Sequence, residues 1–116
     1  MNRCRPPANV NVLGKPYTIT YTSSPTEVDC HRREVLWGQI KYEDRTIRIY
    51  DNGRTPADLW VTLIHEVLHA IATELNIRPL TDDGGDEIVG LLALALTDVM
   101  LRNKWLEVTD ASADAV

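Results

Sequence analysis

A long, well-delimited helix is the feature of this sequence that most restricts the fold. Thr55 is a favourable N-cap, Pro56 stands at the first helical position, and Asp58 places a carboxylate in the first turn, where it favours the helix dipole. The helical pattern runs to about Leu75, and Asn76 and Pro79 end it. Its apolar side chains recur with the helical period and form one broad face, so this helix must pack on another apolar surface.

Strand patterns precede this helix. Residues 17–22 alternate aromatic or β-branched residues with threonine, and residues 35–42 and 46–51 are also typical of strands. The last two segments are separated by three residues, a spacing that suits an antiparallel hairpin. We expect Ile47 and Ile49 to face the core.

A second helix is predicted at about 86–103, after a turn-rich loop. Its first half is apolar almost all round, so we expect the helix to be central and buried. The small residues Gly90, Ala93 and Thr97 form a stripe that would allow close approach to the first helix, although core packing explains them equally well. Three or four strands followed by two helices predict an α+β fold, with a small antiparallel-rich sheet covered by helices on one face.

The chain of 116 residues fits a single domain. We expect a flexible N-terminal arm at 1–16, in which the segment NVNVLG could add a short strand. The folded domain is expected at 17–106. A flexible acidic tail is expected at 107–116.

Charge and cysteine usage argue against several classes of function. The net charge of −5 repels phosphate backbones, so no nucleic-acid partner is expected. No apolar run is long enough to span a bilayer and no signal peptide is recognisable, so we expect a soluble cytoplasmic protein without a membrane partner. Cys4 and Cys30 form neither a C-x-x-C pair nor a disulfide framework, and they are interpreted as separate reduced thiols.

The first predicted helix carries His65, Glu66 and His69 in the pattern His-Glu-x-x-His. Histidines four residues apart project from one side of a helix, so both imidazoles can reach one ion. The glutamate lies beside them and can contact a water on the metal without displacing it. All three residues fall off the apolar face. The pattern predicts Zn²⁺ bound by His65 and His69, with Glu66 as the catalytic base.

A catalytic zinc site usually has a third protein ligand. Glu87 is the preferred candidate, because it opens the second helix and is followed by an uncharged run in which a lone carboxylate would be costly unless paired or ligated. A first-turn glutamate that only favours the helix dipole would look the same. Asp86, Asp83 and His31 are further candidates for this position.

The chain resembles zincin metallopeptidases of the gluzincin kind, and more closely the ImmA/IrrE-type proteins and the minimal zincin-like proteins of bacteriophages and prophages. The matching stretches are WGQIKYEDRTIRIY, TLIHEVLHAI and DEIVGLLALAL, which together cover most of residues 35–100. The resemblance implies His65, His69 and Glu87 as zinc ligands and Glu66 as general base. It also implies that the edge of the hairpin 35–51 binds an extended substrate.

The sequence departs from the larger gluzincins in two ways. Leu91 stands four residues after Glu87, where those enzymes have an aspartate. No oxyanion-stabilising residue is recognisable, and Tyr42, Tyr50 and Arg48 are candidates only by their proximity in sequence.

A zinc-dependent metallopeptidase of narrow specificity is therefore the expected function, with a peptide or protein as substrate in a bacterial or phage setting. The competing hypothesis is a non-catalytic zincin-fold binding or structural protein, in which zinc holds the two helices together. An acidic inhibitor is the weakest hypothesis, because the acidic residues are dispersed. The sequence leaves the oligomeric state open.

Overall fold

The computed structural model describes residues 7–23, 30–31, 34–35, 37–82 and 84–106. These residues form an α+β fold, as predicted, in which the strands precede the helices. The strands are β1 (Asn9–Val12), β2 (Lys15–Thr22), β3 (Cys30–His31), β4 (Glu34–Val35), β5 (Gly38–Lys41) and β6 (Thr46–Tyr50), and the helices are α1 (Pro56–Leu75), α2 (Arg78–Thr81) and α3 (Gly85–Arg102).

Four of the strands form one mixed sheet in the order β1-β2-β6-β5. The outer pairs are antiparallel, and β5 and β6 form the predicted hairpin with Gly38 opposite Ile49. The central pair is parallel, with Thr18 opposite Thr46. Strands β3 and β4 pair separately. Within the described residues, β5 is therefore an edge of the sheet.

Part of the predicted N-terminal arm belongs to this sheet. Asn9–Val12 pair with β2 through a tight turn in which Leu13 and Gly14 both have positive φ. Val12 is buried in the core. The short strand that NVNVLG could form is therefore present, whereas the expectation of a flexible arm is wrong for residues 9–16. Residues 1–6 of that arm and the predicted tail at 107–116 lie outside the described residues.

Helix α1 packs on one face of the sheet and closes the core. Along β2 the buried Tyr17 and Ile19 alternate with exposed threonines, as expected for a sheet with one covered face. Ile47 and Ile49 of β6 are fully buried, which confirms their predicted orientation. The core comprises Val12, Tyr17, Ile19, Ile47, Ile49, Leu59, Leu63 and Ala70.

Both ends of α1 follow the sequence prediction. The Thr55 hydroxyl accepts the Asp58 N–H at 3.1 Å, and the Asp58 carboxylate accepts the Thr55 N–H at 3.4 Å, which completes a capping box. Asn76 ends the helix in the left-handed conformation, with φ of 53°. The helix is therefore delimited by local interactions, independently of the histidines that it carries.

Helix α3 lies within a residue of its predicted bounds, but the prediction that it is buried is wrong. Only Gly85, Val89, Ala93 and Thr97 are buried, whereas Leu91 is 64% exposed. The helix packs on α1 and α2 along one side only, so the apolar residues on its other sides remain on the surface. Even so, no described helix is long and apolar enough to cross a membrane.

Candidate metal centre

Three side chains from two helices converge at one point. His65 and His69 lie one turn apart on α1, and Asp86 is the second residue of α3. The Nε2 atoms of His65 and His69 lie 3.1 and 2.9 Å from the same Asp86 Oδ1. One ligand atom from each residue falls within 4.8 Å of the others, so this group could hold a metal ion.

Asp86, and not the preferred Glu87, is the third member of this group. Glu87 is the next residue on α3 and is exposed. Consecutive helical residues point about 100° apart, so at a given rotation of α3 only one of the two faces the histidines. Asp83 and the side chain of His31, the remaining candidates for the third ligand, lie outside the described residues.

The donor set suits zinc. Two imidazole nitrogens and a carboxylate oxygen are ordinary zinc ligands, and tetrahedral bonds of about 2.0 Å place neighbouring ligand atoms roughly 3.3 Å apart. The two contacts at Asp86 are close to that spacing. Three protein ligands would leave a fourth coordination position of such an ion open.

Close backbone packing sets the position of α3 at this centre. A Cβ on Gly85 would lie 2.5 Å from the Leu80 carbonyl carbon, so only glycine fits between α2 and the start of α3. Gly84 turns the chain just before, with φ of +87°. Gly90 faces the ring of His65, with its Cβ position 3.6 Å from the imidazole Cε1. The small residues therefore let α3 bring Asp86 to the histidines.

Glu66 lies beside these three residues and is 7% exposed. Strand β5 covers it, because a Cβ on Gly38 would lie 3.1 Å from Glu66 Oε2 and 2.7 Å from Thr62 Cγ2. A glycine inside a strand often marks such a close approach of another segment. The presence of Gly38 within the predicted strand 35–42 is the sequence signal that could have indicated this contact with Glu66. The carboxylate is therefore held between the edge strand and α1.

The two carboxylates of the site differ in acidity. Burial raises the pKa of Glu66 to about 7, and the negative charge of Asp86 adds to this effect. Burial also opposes the ionisation of Asp86, but its contacts with His65 and His69 hold its pKa below the usual value. Asp86 is thus the anionic partner of the histidines, while Glu66 can exchange a proton near neutral pH.

Asp86 lines two surface depressions. One, of about 340 Å³, is lined by Trp37, Gly38, Arg54, Val61, Thr62, His65, Glu66 and Asp86. The other, of about 270 Å³, is lined by Tyr42, His69, Thr73, Leu80, Thr81, Asp82 and Asp86. Both depressions therefore reach the candidate centre, one at His65 and the other at His69.

Arg54 lines the first depression and was not predicted from the sequence, where nothing marks it. Its guanidinium donates to the backbone oxygens of Tyr50 and Asp58 and to the Thr62 hydroxyl, and it lies 4.5 Å from the centre of the Trp37 ring. Burial lowers its pKa, against the influence of nearby aspartates. No described residue forms a salt bridge with it.

The three residues that sequence proximity suggested for oxyanion stabilisation have different positions. Tyr42 lines the second depression beside His69. Tyr50 packs against Trp37, with 5.7 Å between the ring centroids. Arg48 lines neither depression. Tyr42 is therefore the one of the three that the structure brings to the candidate centre.

Comparison with known proteins does not identify a family for this chain. No family model matches it, and neither a curated protein nor a solved structure is detectably similar.

Proposed function

We propose that the protein is a zinc-dependent metallopeptidase with His65, His69 and Asp86 as ligands and Glu66 as general base. The observation that carries the proposal is the arrangement of the four residues. Three converge on one point, whereas Glu66 lies next to them, outside the group that could hold the ion. A purely structural metal site has no need of this buried carboxylate.

Glu66 would perform the proton transfers of the reaction. When bound, zinc supplies a Lewis acid that acidifies water and polarises a carbonyl group. The Glu66 carboxylate would take a proton from the attacking water and deliver it to the amine that leaves. A pKa of about 7 suits a group that must both accept and release a proton near neutral pH.

The substrate would lie along β5 as an added strand. Within the described residues β5 is an outer strand of the sheet, and its Gly38 packs directly on Glu66. Main-chain pairing with this edge would carry an extended peptide through both depressions and past the candidate centre. Arg54 in the first depression and Tyr42 in the second can then donate hydrogen bonds to carbonyl oxygens of the bound chain.

The third ligand can be tested by exchanging one carboxylate at a time. We expect Asp86→Asn to weaken zinc binding by at least about 100-fold, since even outer-shell partners of ligands contribute 10–100-fold. Glu87→Gln should bind zinc with nearly wild-type affinity. Competition with a chromophoric chelator measures both. The reverse pattern, with only Glu87→Gln impaired, would show that Glu87 is the ligand.

Glu66→Gln tests the catalytic proposal. We expect the zinc-loaded variant to lose 10²–10⁴-fold in peptide hydrolysis, the usual contribution of a general base, while it retains zinc. Mass spectrometry of a diverse peptide library digested by each protein gives the comparison, and Glu74→Gln on the same helix is the control. If wild-type protein cleaves nothing that the Glu66 variant spares, the protein is not a peptidase.

A structural zinc site is the second candidate, because the three ligands join α1 to the start of α3. In that case zinc would stabilise the fold without supporting hydrolysis. A large fall in melting temperature on chelation, together with no cleavage of the peptide library, would favour this function over catalysis.

A further inference from the structure

Helix α3 directs its larger apolar residues outward and its smaller ones inward. The residues buried against the rest of the fold are Gly85, Val89, Ala93 and Thr97. Ile88, Leu91, Leu92, Leu96 and Val99 are instead 40–64% exposed, and Ala95 is exposed between them. No charged residue occurs at 88–97. Apolar side chains of this size gain free energy when they leave water, so such a helix is better suited to an interface than to a free surface.

The exposed residues form a regular seam. Ile88, Leu92, Ala95 and Val99 are spaced four, three and four residues apart, which is the repeat of helices that pack side by side. At 100° per residue, Leu91 and Leu96 lie on either side of this row of four residues. We call the four residues and the two leucines together the α3 seam.

The spacing of the seam is the same in both directions along the helix. If two copies pack antiparallel about a two-fold axis, Ile88 of one faces Val99 of the other, and Leu92 faces Ala95. A two-fold interface must be self-complementary in this way. The seam of one chain can therefore pack against the same seam of a second copy of the chain.

The area of the seam matches a modest dimer. A fully exposed apolar side chain of this size offers about 60–120 Å² of apolar surface, so the six partly exposed residues together offer roughly 200–350 Å² per copy. Because interfaces are about 60% apolar, the pair would bury roughly 700–1,100 Å² in total once a polar rim is included, which reaches the lower limit for a specific interface.

The seam leaves the candidate metal centre free. Asp86 lies about 150° around α3 from the middle of the seam, on the side that faces α1. A partner bound at the middle of the seam would therefore lie on the side of α3 away from Asp86.

We propose that the protein forms a two-fold homodimer through the α3 seam, with the two α3 helices antiparallel. This proposal does not depend on metal binding or on catalysis.

Sedimentation equilibrium or light scattering on the full-length chain tests it. The wild-type protein should show twice the chain mass of 13.1 kDa at micromolar concentrations and above. Leu92→Glu, in the seam, should be monomeric at concentrations at least 100-fold higher. Leu94→Glu introduces the same charge at a residue that is 59% exposed but lies outside the seam, and it should remain dimeric.

Circular dichroism establishes that each variant is folded, and because both leucines are exposed, neither replacement disturbs the core. A wild-type protein that stays monomeric up to several hundred micromolar would overturn the proposal, and would leave the seam to a different protein. A dimer that Leu94→Glu disrupts and Leu92→Glu does not would overturn it as well.

Discussion

Glu66→Gln is expected to stabilise the metal-free protein by about 3 kcal/mol at pH 8. The side chain is almost fully buried, and its pKa rises from 4.5 to about 7 in the folded state. A carboxyl group whose pKa is raised by folding destabilises the fold at high pH, because the unfolded chain releases the proton more readily. A shift of this size corresponds to roughly 3 kcal/mol. The uncharged amide avoids this cost.

The sign of the effect predicts its pH dependence. Below pH 4.5 the wild-type carboxyl is protonated in both states, so the variant gains little. The gain should grow as pH rises from about 5 and level off above 7. Urea unfolding at a series of pH values in the presence of a chelator measures it. A variant no more stable than wild type at pH 8, or a gain independent of pH, would contradict the prediction.

A second glutamate on α1 and the addition of zinc provide two controls for the stability of Glu66→Gln. Glu74 lies on the same helix, where a salt bridge with Lys15 and a hydrogen bond from Tyr17 keep its pKa below the usual value. Glu74→Gln should therefore lower stability at neutral pH, the opposite sign. Zinc should reduce the gain of Glu66→Gln, since a nearby cation favours the charged form of Glu66. If Glu66 is the general base, the same replacement would stabilise the metal-free fold and slow hydrolysis, as expected where a catalytic group is kept at a cost in stability.

Gly85→Ala is expected to destabilise the protein by about 3 kcal/mol or more. The added methyl group would meet the Leu80 backbone, with 2.5 Å to the carbonyl carbon, and a backbone cannot move aside as a flexible side chain can. Since Gly85 precedes Asp86, the shift of α3 that relieves this contact would also move the carboxylate away from the histidines. We expect weaker zinc binding together with the loss of stability.

Gly90→Ala on the same helix is the matched control. Its methyl group would make an ordinary contact, 3.6 Å from the His65 ring, and alanine favours a helix interior over glycine by up to about 1 kcal/mol. This variant should be slightly more stable than wild type and should bind zinc normally. Chemical unfolding and chelator competition on both variants give the comparison. Equal stabilities for the two would show that α2 and α3 do not approach as closely as the structure indicates.

The elements that local chemistry specifies could be predicted from the sequence. Thr55 and Pro56 start α1 and Asn76 ends it, in each case through interactions with residues a few positions away. The observed bounds of the helix match the expected ones. The β5–β6 hairpin is also local. The parallel pairing of β2 with β6 was not predicted, because alternation shows which residues of a strand face the core but not which strand lies next to it.

The third member of the site depends on tertiary packing, which the sequence specifies only indirectly. Asp86 and Glu87 are adjacent carboxylates at the start of one helix, and local preferences do not distinguish them. The rotation of α3 about its axis decides which of the two carboxylates faces the histidines. Contacts of Gly85 and Gly90 with other segments set that rotation. The exposure of α3 was mispredicted for a related reason. A helix that is apolar all round can be buried by its own fold or by a partner, and composition alone does not separate the two.

The parallel contact between β2 and β6 also has a consequence for how the chain folds. Thr18 pairs with Thr46, 28 positions further along, so the centre of the sheet cannot form until the two ends of that stretch have been brought together. Closing such a loop costs entropy before any pairing offsets it, which slows folding. The β5–β6 hairpin and α1 are contiguous in the chain and can assemble first. We therefore expect the segment before residue 23 to pair with β6 last. By then the unit of β5, β6 and α1, which carries both histidines, would already be formed.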